Sequence, residues 1–190
     1  MDSFNLVDSL KQIFKRVDIK LPHGNVDDES LVSIDYYKQR KWKLVLHDEC
    51  FFTYMHVDFF VQALQKLQIK QVETFLYSWE DGIRYFKSME SKYQVIKDIF
   101  YNIDTNDKNW SKPEVVVSSI LITNKTMDFI VFVDSYREQF YFYGENDFIN
   151  SVMPVSGEAF NDYYEAYYEV YEHEPLHIDY LKWLWENYIR

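Results

Sequence analysis

The chain has 190 residues and a formal net charge of −11 at pH 7, with 47% apolar and 19% aromatic residues. So large an apolar share supports a sizeable core and excludes a disordered acidic tail, and the length predicts one domain. A single cysteine, Cys50, excludes an internal disulfide framework and predicts a reducing, cytoplasmic compartment, and no apolar run is long enough to predict a membrane span.

The first third of the chain predicts two helices separated by a loop and an extended region. Apolar residues recur at helical spacing over residues 3–17. Residues 22–29 are rich in turn-forming and acidic residues and predict a loop. Residues 30–55 have an extended character, and Asp58 is placed to cap a helix that continues to Leu67.

The middle of the chain predicts a strand, a long helix and a meander. A strand is expected over residues 72–77, and Asp81 would open a helix that ends near Phe100. The polar stretch 104–113 is the best candidate for an internal joint. Three extended runs follow, and their short connections favour antiparallel neighbours. These runs cover residues 115–122, 129–133 and 139–143.

Two helices are expected to close the chain, over residues 157–172 and 175–188. Pro175 suits the first turn of the second helix, where its missing N–H has no intrahelical partner to lose. Together these elements predict one α+β domain over residues 1–190. It would have a mainly antiparallel sheet with a C-terminal three-stranded meander, flanked by N- and C-terminal helices.

The charge is distributed unevenly along the chain. From Glu138 to Leu181 there is no lysine or arginine, while ten acids occur, so this stretch carries −10 of the net charge of −11. A one-sided field of this kind concerns partners and solubility rather than fold. It predicts a surface that meets a basic partner. The acids are Glu138, Glu145, Asp147, Glu158, Asp162, Glu165, Glu169, Glu172, Glu174 and Asp179.

The predicted helix over 158–174 divides into two faces. At 100° per residue its tyrosines fall within a sector about 140° wide, and the acids gather on the opposite side. The tyrosines either face the core or supply contact area for a partner. With 17 tyrosines in the chain, we expect many to reach the surface. The helix carries Tyr163, Tyr164, Tyr167, Tyr168 and Tyr171 against Asp162, Glu165, Glu169 and Glu172.

Two histidine-containing motifs are candidates for catalytic or metal sites. His173-Glu174-Pro175-Leu176-His177 has the H-E-x-x-H spacing of zinc proteases, but Pro175 removes a backbone donor inside the turn and instead predicts a helix start. His47, Cys50 and His56 would need a bend to converge, because positions 47 and 50 of a strand point to opposite faces. We therefore expect no catalytic residue, no metal site and no cofactor.

Direct nucleic-acid binding is disfavoured, because phosphate neutralisation needs clustered cations. The densest basic cluster, residues 38–43, is short and is interpreted as a solvated strand edge. Glycine-rich phosphate loops and nucleophile elbows are absent from the sequence.

The acidic, tyrosine-rich segment 158–174 and the overall charge give the chain a resemblance of type to bacterial immunity proteins, which neutralise polymorphic or contact-dependent toxins. The resemblance implies a cytoplasmic inhibitor that is not an enzyme and that binds a basic toxin domain, for example a nuclease. Two alternatives stay open: a phage-type mimic of nucleic acid that inhibits a DNA-binding defence protein, and an enzyme with a scattered carboxylate site. The predicted partner-binding residues are Glu145, Asp147, Glu158, Asp162, Tyr164, Glu165, Tyr168, Glu169 and Glu172.

Overall fold

The computed structural model of the chain describes residues 3–48, 54–78, 80–101, 119–134, 139–152 and 173–189. These ranges contain six α-helices and eight β-strands. In chain order they are α1 (Ser3–Ile13), β1 (Phe14–Leu21), β2 (Gly24–Val32), α2 (Ile34–Arg40), β3 (Lys43–Asp48), α3 (Tyr54–Lys66), β4 (Gln71–Ser78), β5 (Gly82–Glu90), α4 (Tyr93–Tyr101), β6 (Ser119–Thr123), β7 (Phe129–Asp134), β8 (Gln139–Gly144), α5 (Asn146–Val152) and α6 (Pro175–Leu184), which continues as a π-helical turn (Trp185–Ile189).

Two antiparallel sheets organise the described residues. The larger has six strands in the order β3-β8-β7-β6-β4-β5, and the smaller is the hairpin of β1 and β2. Strands β6, β7 and β8 are neighbours in sequence and in space, so the predicted three-stranded meander is confirmed. The α+β fold class with an antiparallel sheet and helices at both ends is confirmed as well.

Apolar side chains of the six-stranded sheet point alternately to two separate cores. Phe132 and Tyr141 face a core formed with the β1–β2 hairpin, α1 and α6, which we call the hairpin-side core. Val131 and Phe142 face a core formed with α3, α4 and α5, which we call the helix-side core. Because both faces are covered, every residue of β6 and β7 is buried. This explains why these antiparallel strands read as continuous apolar runs rather than alternating ones.

Aromatic rings fill the helix-side core. Phe129 of β7 and Phe148 of α5 stack with their centroids 4.6 Å apart and an angle of 16° between the rings. Phe60 of α3 meets both rings edge-on, and the side chain is fully buried. Edge-to-face and offset-stacked pairs of this kind add stability beyond the apolar area that they bury.

The N-terminal helix is shorter than its apolar spacing predicts. It ends at Ile13, and Phe14–Leu21 forms β1, which pairs with Gly24–Val32 across a tight turn. The loop predicted over residues 22–29 is therefore mostly the second strand of a hairpin. Phe14 and Ile19 enter the hairpin-side core, so tertiary packing overrides the helical spacing here.

The extended region predicted over residues 30–55 contains a helix. The Ser33 side chain accepts a hydrogen bond from the Tyr36 backbone N–H and caps α2, which ends where Lys41 adopts a left-handed conformation with φ of 54°. The next helix, α3, begins at Tyr54, so Asp58 lies within it and is not its cap.

The long helix predicted from Asp81 to Phe100 is wrong in its first half. Residues Gly82–Glu90 form β5, which pairs with β4 as a hairpin, and the helix α4 begins only at Tyr93. Gly82 has φ of 70°, a conformation that glycine adopts without steric cost, and it favours a turn over a helix start. The strand predicted over 72–77 is confirmed as β4.

The final helix is confirmed, with Pro175 at its first position. A short helix, α5, follows the meander and was not predicted. The predicted joint at 104–113 and the predicted helix over 157–172 lie outside the described residues. No helix in the described ranges combines the length and apolar character needed to cross a membrane.

Candidate functional site

Two of the predicted partner-binding residues are described, and both are exposed. Glu145 follows the last residue of β8, and Asp147 lies in the first turn of α5. Neither carboxylate forms an ion pair with the described part of the chain. The other predicted partner-binding residues lie outside the described ranges, namely Glu158, Asp162, Tyr164, Glu165, Tyr168, Glu169 and Glu172.

The acid at position 179 has a different role from its neighbours in sequence. Asp179 lies on α6 with its side chain 9% exposed, and its Oδ2 is 2.6 Å from Nδ1 of His23. The His23 backbone N–H donates to the same oxygen over 3.1 Å. Asp179 therefore ties the turn of the β1–β2 hairpin to the last helix, and it does not add to the exposed acidic surface.

The hydrogen bond from the His23 side chain lowers the pKa of Asp179. Desolvation raises this pKa, but the His23 backbone N–H, the His23 charge and Lys182 lower it further, so the net shift is downward. A carboxyl with a lowered native pKa stabilises the fold above its unfolded pKa of about 4, and this contribution is lost as the pH falls through the native pKa. Asp179→Asn should therefore destabilise the protein at pH 5, with a difference from wild type that shrinks towards pH 3. Urea unfolding at both pH values measures this.

The histidine partner provides the control for this prediction. His23→Ala removes the side-chain hydrogen bond and keeps the backbone one, so in that background Asp179→Asn should cost less at pH 5 than it costs in the wild-type chain. An equal cost in both backgrounds would show that Asp179 stabilises the fold without the His23 side chain.

The H-E-x-x-H spacing does not form the zinc-protease arrangement. Helix α6 begins at Pro175, so His173 precedes the helix while His177 lies on it. Within the described ranges no three His, Cys, Asp or Glu side chains converge on a metal position. Cys50 lies outside the described residues, so its predicted separation from His47 and His56 stays a prediction.

A buried group of polar side chains in the hairpin-side core was missed by sequence analysis. The Tyr141 hydroxyl donates to Glu29 Oε1 over 3.4 Å and lies 3.1 Å from the Tyr180 hydroxyl. Burial raises the pKa of Tyr141, and the nearby Tyr180, Glu29 and Asp134 raise it further. We call Glu29, Asp134, Tyr141 and Tyr180 the tyrosine–carboxylate cluster. These residues come from β2, β7, β8 and α6, and no local pattern in the sequence links them.

The tyrosine–carboxylate cluster is closed to solvent. Glu29 is 2% exposed, and Tyr141 and Tyr180 are fully buried. Buried carboxylates and hydroxyls that find partners hold a core in one arrangement, whereas a reaction centre must also admit a substrate. The cluster therefore joins the hairpin, the sheet and the last helix as an internal polar network.

Three more tyrosines are buried beside this cluster. Tyr188 donates to the Val32 backbone carbonyl over 2.6 Å, and Tyr37 donates to the Tyr188 carbonyl. The Tyr143 ring stacks on that of Tyr141 with an angle of 7°. Among the tyrosines whose burial the structure describes, Tyr85 is the most exposed, at 39%, and Tyr36, Tyr77 and Tyr93 are partly buried. The other five of these tyrosines are buried, so in this part of the chain more of them serve the core than the sequence suggested.

An open polar groove lies at the end of the sheet where β4 begins and where β5 and β6 end. It has a volume of about 790 Å³ and is formed by three connections: α3–β4, β5–α4 and β6–β7. Its basic side chains are Lys70, Lys92 and Lys125, and its one acid is Glu90. Sequence analysis missed it, because the three lysines lie in separate loops.

Comparison of the chain with protein-family models, with curated proteins and with solved structures gives no match.

Proposed function

We propose that this protein is an inhibitor that acts by binding a basic protein partner through its acid-rich stretch, and that the partner is a toxin domain. The observation that carries the proposal is the 44-residue interval from Glu138 to Leu181, which has ten acids and no lysine or arginine. The field of such a stretch attracts a basic partner and speeds the encounter.

The described part of this interval supports an accessible acidic surface. Glu145, Asp147 and Glu174 are exposed and form no ion pair with other described residues. A carboxylate already neutralised by a neighbouring lysine would contribute little to a partner's recognition. Within the described ranges these three carboxylates are therefore accessible to lysines and arginines on a partner.

Selective toxin inhibition predicts one partner. A purified, tagged form of the chain should capture one stoichiometric basic protein from a lysate of its source cell, and the complex should inhibit that protein's toxic activity. Many DNA-binding proteins released together by salt would instead support nucleic-acid mimicry, because that recognition depends on phosphate-like charge.

Charge reversal in the acidic stretch tests the proposed surface. Glu165→Lys, Glu169→Lys and Glu172→Lys together should slow association with the captured partner about tenfold or more, because they reverse the attracting field. Stopped-flow or biosensor kinetics measure the association rate, and thermal unfolding checks the fold.

A matched triple variant controls for net charge. Asp8→Lys, Asp18→Lys and Asp58→Lys change the charge equally at exposed positions outside the stretch, on α1, β1 and α3. This control should slow association much less. Equal effects of the two triple variants would refute a localised binding surface, and an unchanged rate in both would refute the electrostatic mechanism.

A further inference from the structure

We propose that the polar groove described above binds a compact small molecule that carries several phosphate groups. The first observation is its charge. Lys70, Lys92 and Lys125 face one acid, Glu90, in a chain whose net charge is −11. The groove is therefore locally cationic on an acidic protein, which is the arrangement that concentrates an anion at one place on the surface.

The second observation is that two of the three ammonium groups have no counter-charge among the residues that the structure describes. Lys92 pairs with Glu90, and both side chains are more than half exposed. Lys70 and Lys125 form no ion pair with the described part of the chain. An anion in the groove would thus contact the ammonium groups of Lys70 and Lys125, and also that of Lys92, which pairs with Glu90.

The walls of the groove are fixed by hydrogen bonds. In the β6–β7 turn, the Asn124 side chain donates to Asp128 over 2.7 Å and accepts from the Asp128 backbone N–H over 2.9 Å. On the opposite side, the Ser91 backbone N–H donates to the Lys70 carbonyl over 3.0 Å. All three lysine-bearing connections are therefore held by hydrogen bonds, which lowers the entropy lost when a ligand binds.

The remaining lining residues favour phosphate over an apolar or aromatic ligand. The side-chain amides of Gln68 and Gln71 can donate to phosphate oxygens, whereas the Thr126 hydroxyl donates to Asp128. Among the described lining residues, Ile69 is the one apolar side chain. None of the described lining residues carries an aromatic ring on which a nucleobase could stack. The volume of about 790 Å³ exceeds the needs of a single phosphate and suits a small ligand with several.

Inorganic tripolyphosphate is the probe, with orthophosphate and ATP compared at matched ionic strength by isothermal titration calorimetry. Tripolyphosphate should bind more tightly than orthophosphate, because it can contact several lysines at once. ATP should bind about as tightly as tripolyphosphate, because the groove offers nothing to its base. Tight binding of a single-stranded oligonucleotide with weak binding of tripolyphosphate would overturn the proposal in favour of a nucleic-acid surface.

Substitutions locate the site. Lys70→Gln and Lys125→Gln should each weaken tripolyphosphate binding about fivefold, which is the largest effect usually measured for one exposed pair of opposite charges. The triple variant that adds Lys92→Gln should abolish it. The matched control replaces the exposed Lys11, Lys15 and Lys20 of α1 and β1 with glutamine and should bind as wild type does. No measurable binding by wild type, or equal loss in the two triple variants, would overturn the proposal.

Discussion

Raising the pH from 9 to 11 should lower the free energy of unfolding by about 5 kcal/mol. The cause is a group of buried tyrosines whose hydroxyl pKa is raised by burial. These tyrosines are Tyr37, Tyr141, Tyr143 and Tyr188. In the native state they stay protonated, while in the unfolded chain each ionises near pH 10. A raised native pKa contributes stability that is complete below the unfolded pKa and is lost as the pH rises towards the native one.

The size of the alkaline effect follows from the number of groups. Each tyrosine that ionises only after unfolding lowers stability by about 1.4 kcal/mol per pH unit above pH 10. Four such groups give the stated loss, which is comparable with the whole stability of many domains. Urea unfolding at pH 9, 10 and 11 measures the slope. Near-ultraviolet titration of tyrosinate in native and unfolded protein gives an independent count.

A single substitution provides the control for the alkaline slope. Tyr37→Phe removes one of the four groups, so the slope of stability against pH above pH 10 should fall by about a quarter. The variant is also less stable at pH 7 because Tyr37 donates to the Tyr188 carbonyl, which is why the slope is the quantity to compare. Native tyrosines that all titrate near pH 10 would contradict the prediction.

Gly144→Ala should destabilise the protein by about 3 kcal/mol. A Cβ atom at this position would lie 2.5 Å from Phe148 Cδ1 and 3.4 Å from Phe129 Cβ. Phe148 cannot move aside freely, since its ring stacks on Phe129 at 4.6 Å and meets Phe60 at 6.1 Å. The cost therefore comes from overpacking the helix-side core, and urea unfolding measures it.

Two variants separate overpacking from a backbone effect. In a Phe148→Ala background Gly144→Ala should cost much less, because the clashing Cγ and Cδ1 atoms of Phe148 are gone. Gly82→Ala meets no atom within 4 Å but has φ of 70°, so its smaller cost, about 1 kcal/mol, reports backbone strain alone. Equal costs of Gly144→Ala with and without the Phe148 ring would contradict the overpacking explanation.

The sequence predicted the meander because its strands are long apolar runs with short connections. The prediction from sequence failed where tertiary contacts determine whether a segment with ambiguous apolar spacing becomes a helix or a strand. In β5, Tyr85 and Met89 are four residues apart, as on a helix face, yet Tyr85 packs on Phe75 and Met89 enters the helix-side core. A bulge in the β4–β5 pairing separates the two positions and permits opposite orientations. Short apolar runs therefore do not distinguish helix from strand until the partner strand is known.

The candidate sites were predictable only in part. The acid-rich stretch is a property of composition along the chain, so counting charges finds it. The tyrosine–carboxylate cluster is different, because Glu29 and Tyr141 are 112 residues apart. The groove lysines are similarly dispersed among three connections. A local signal does exist for Asp179, which interrupts the apolar positions Ile178, Tyr180 and Leu181 of α6, and an acid in that position indicates an internal partner.

The strand order has a consequence for synthesis of the chain on the ribosome. Among the described strands, β3 lies at one edge of the six-stranded sheet and pairs with β8 alone, so Leu44 cannot form its ladder hydrogen bonds until Tyr143 has been made. The hairpin β4–β5 can form early, but the other four strands of the sheet cannot join it until β6, β7 and β8 have been made. Tyr180, a fully buried residue of the last helix, arrives later still. The apolar residues of β3 therefore stay without their partner strand from their own synthesis until β8 has left the exit tunnel, and the hairpin-side core stays incomplete until Tyr180 follows.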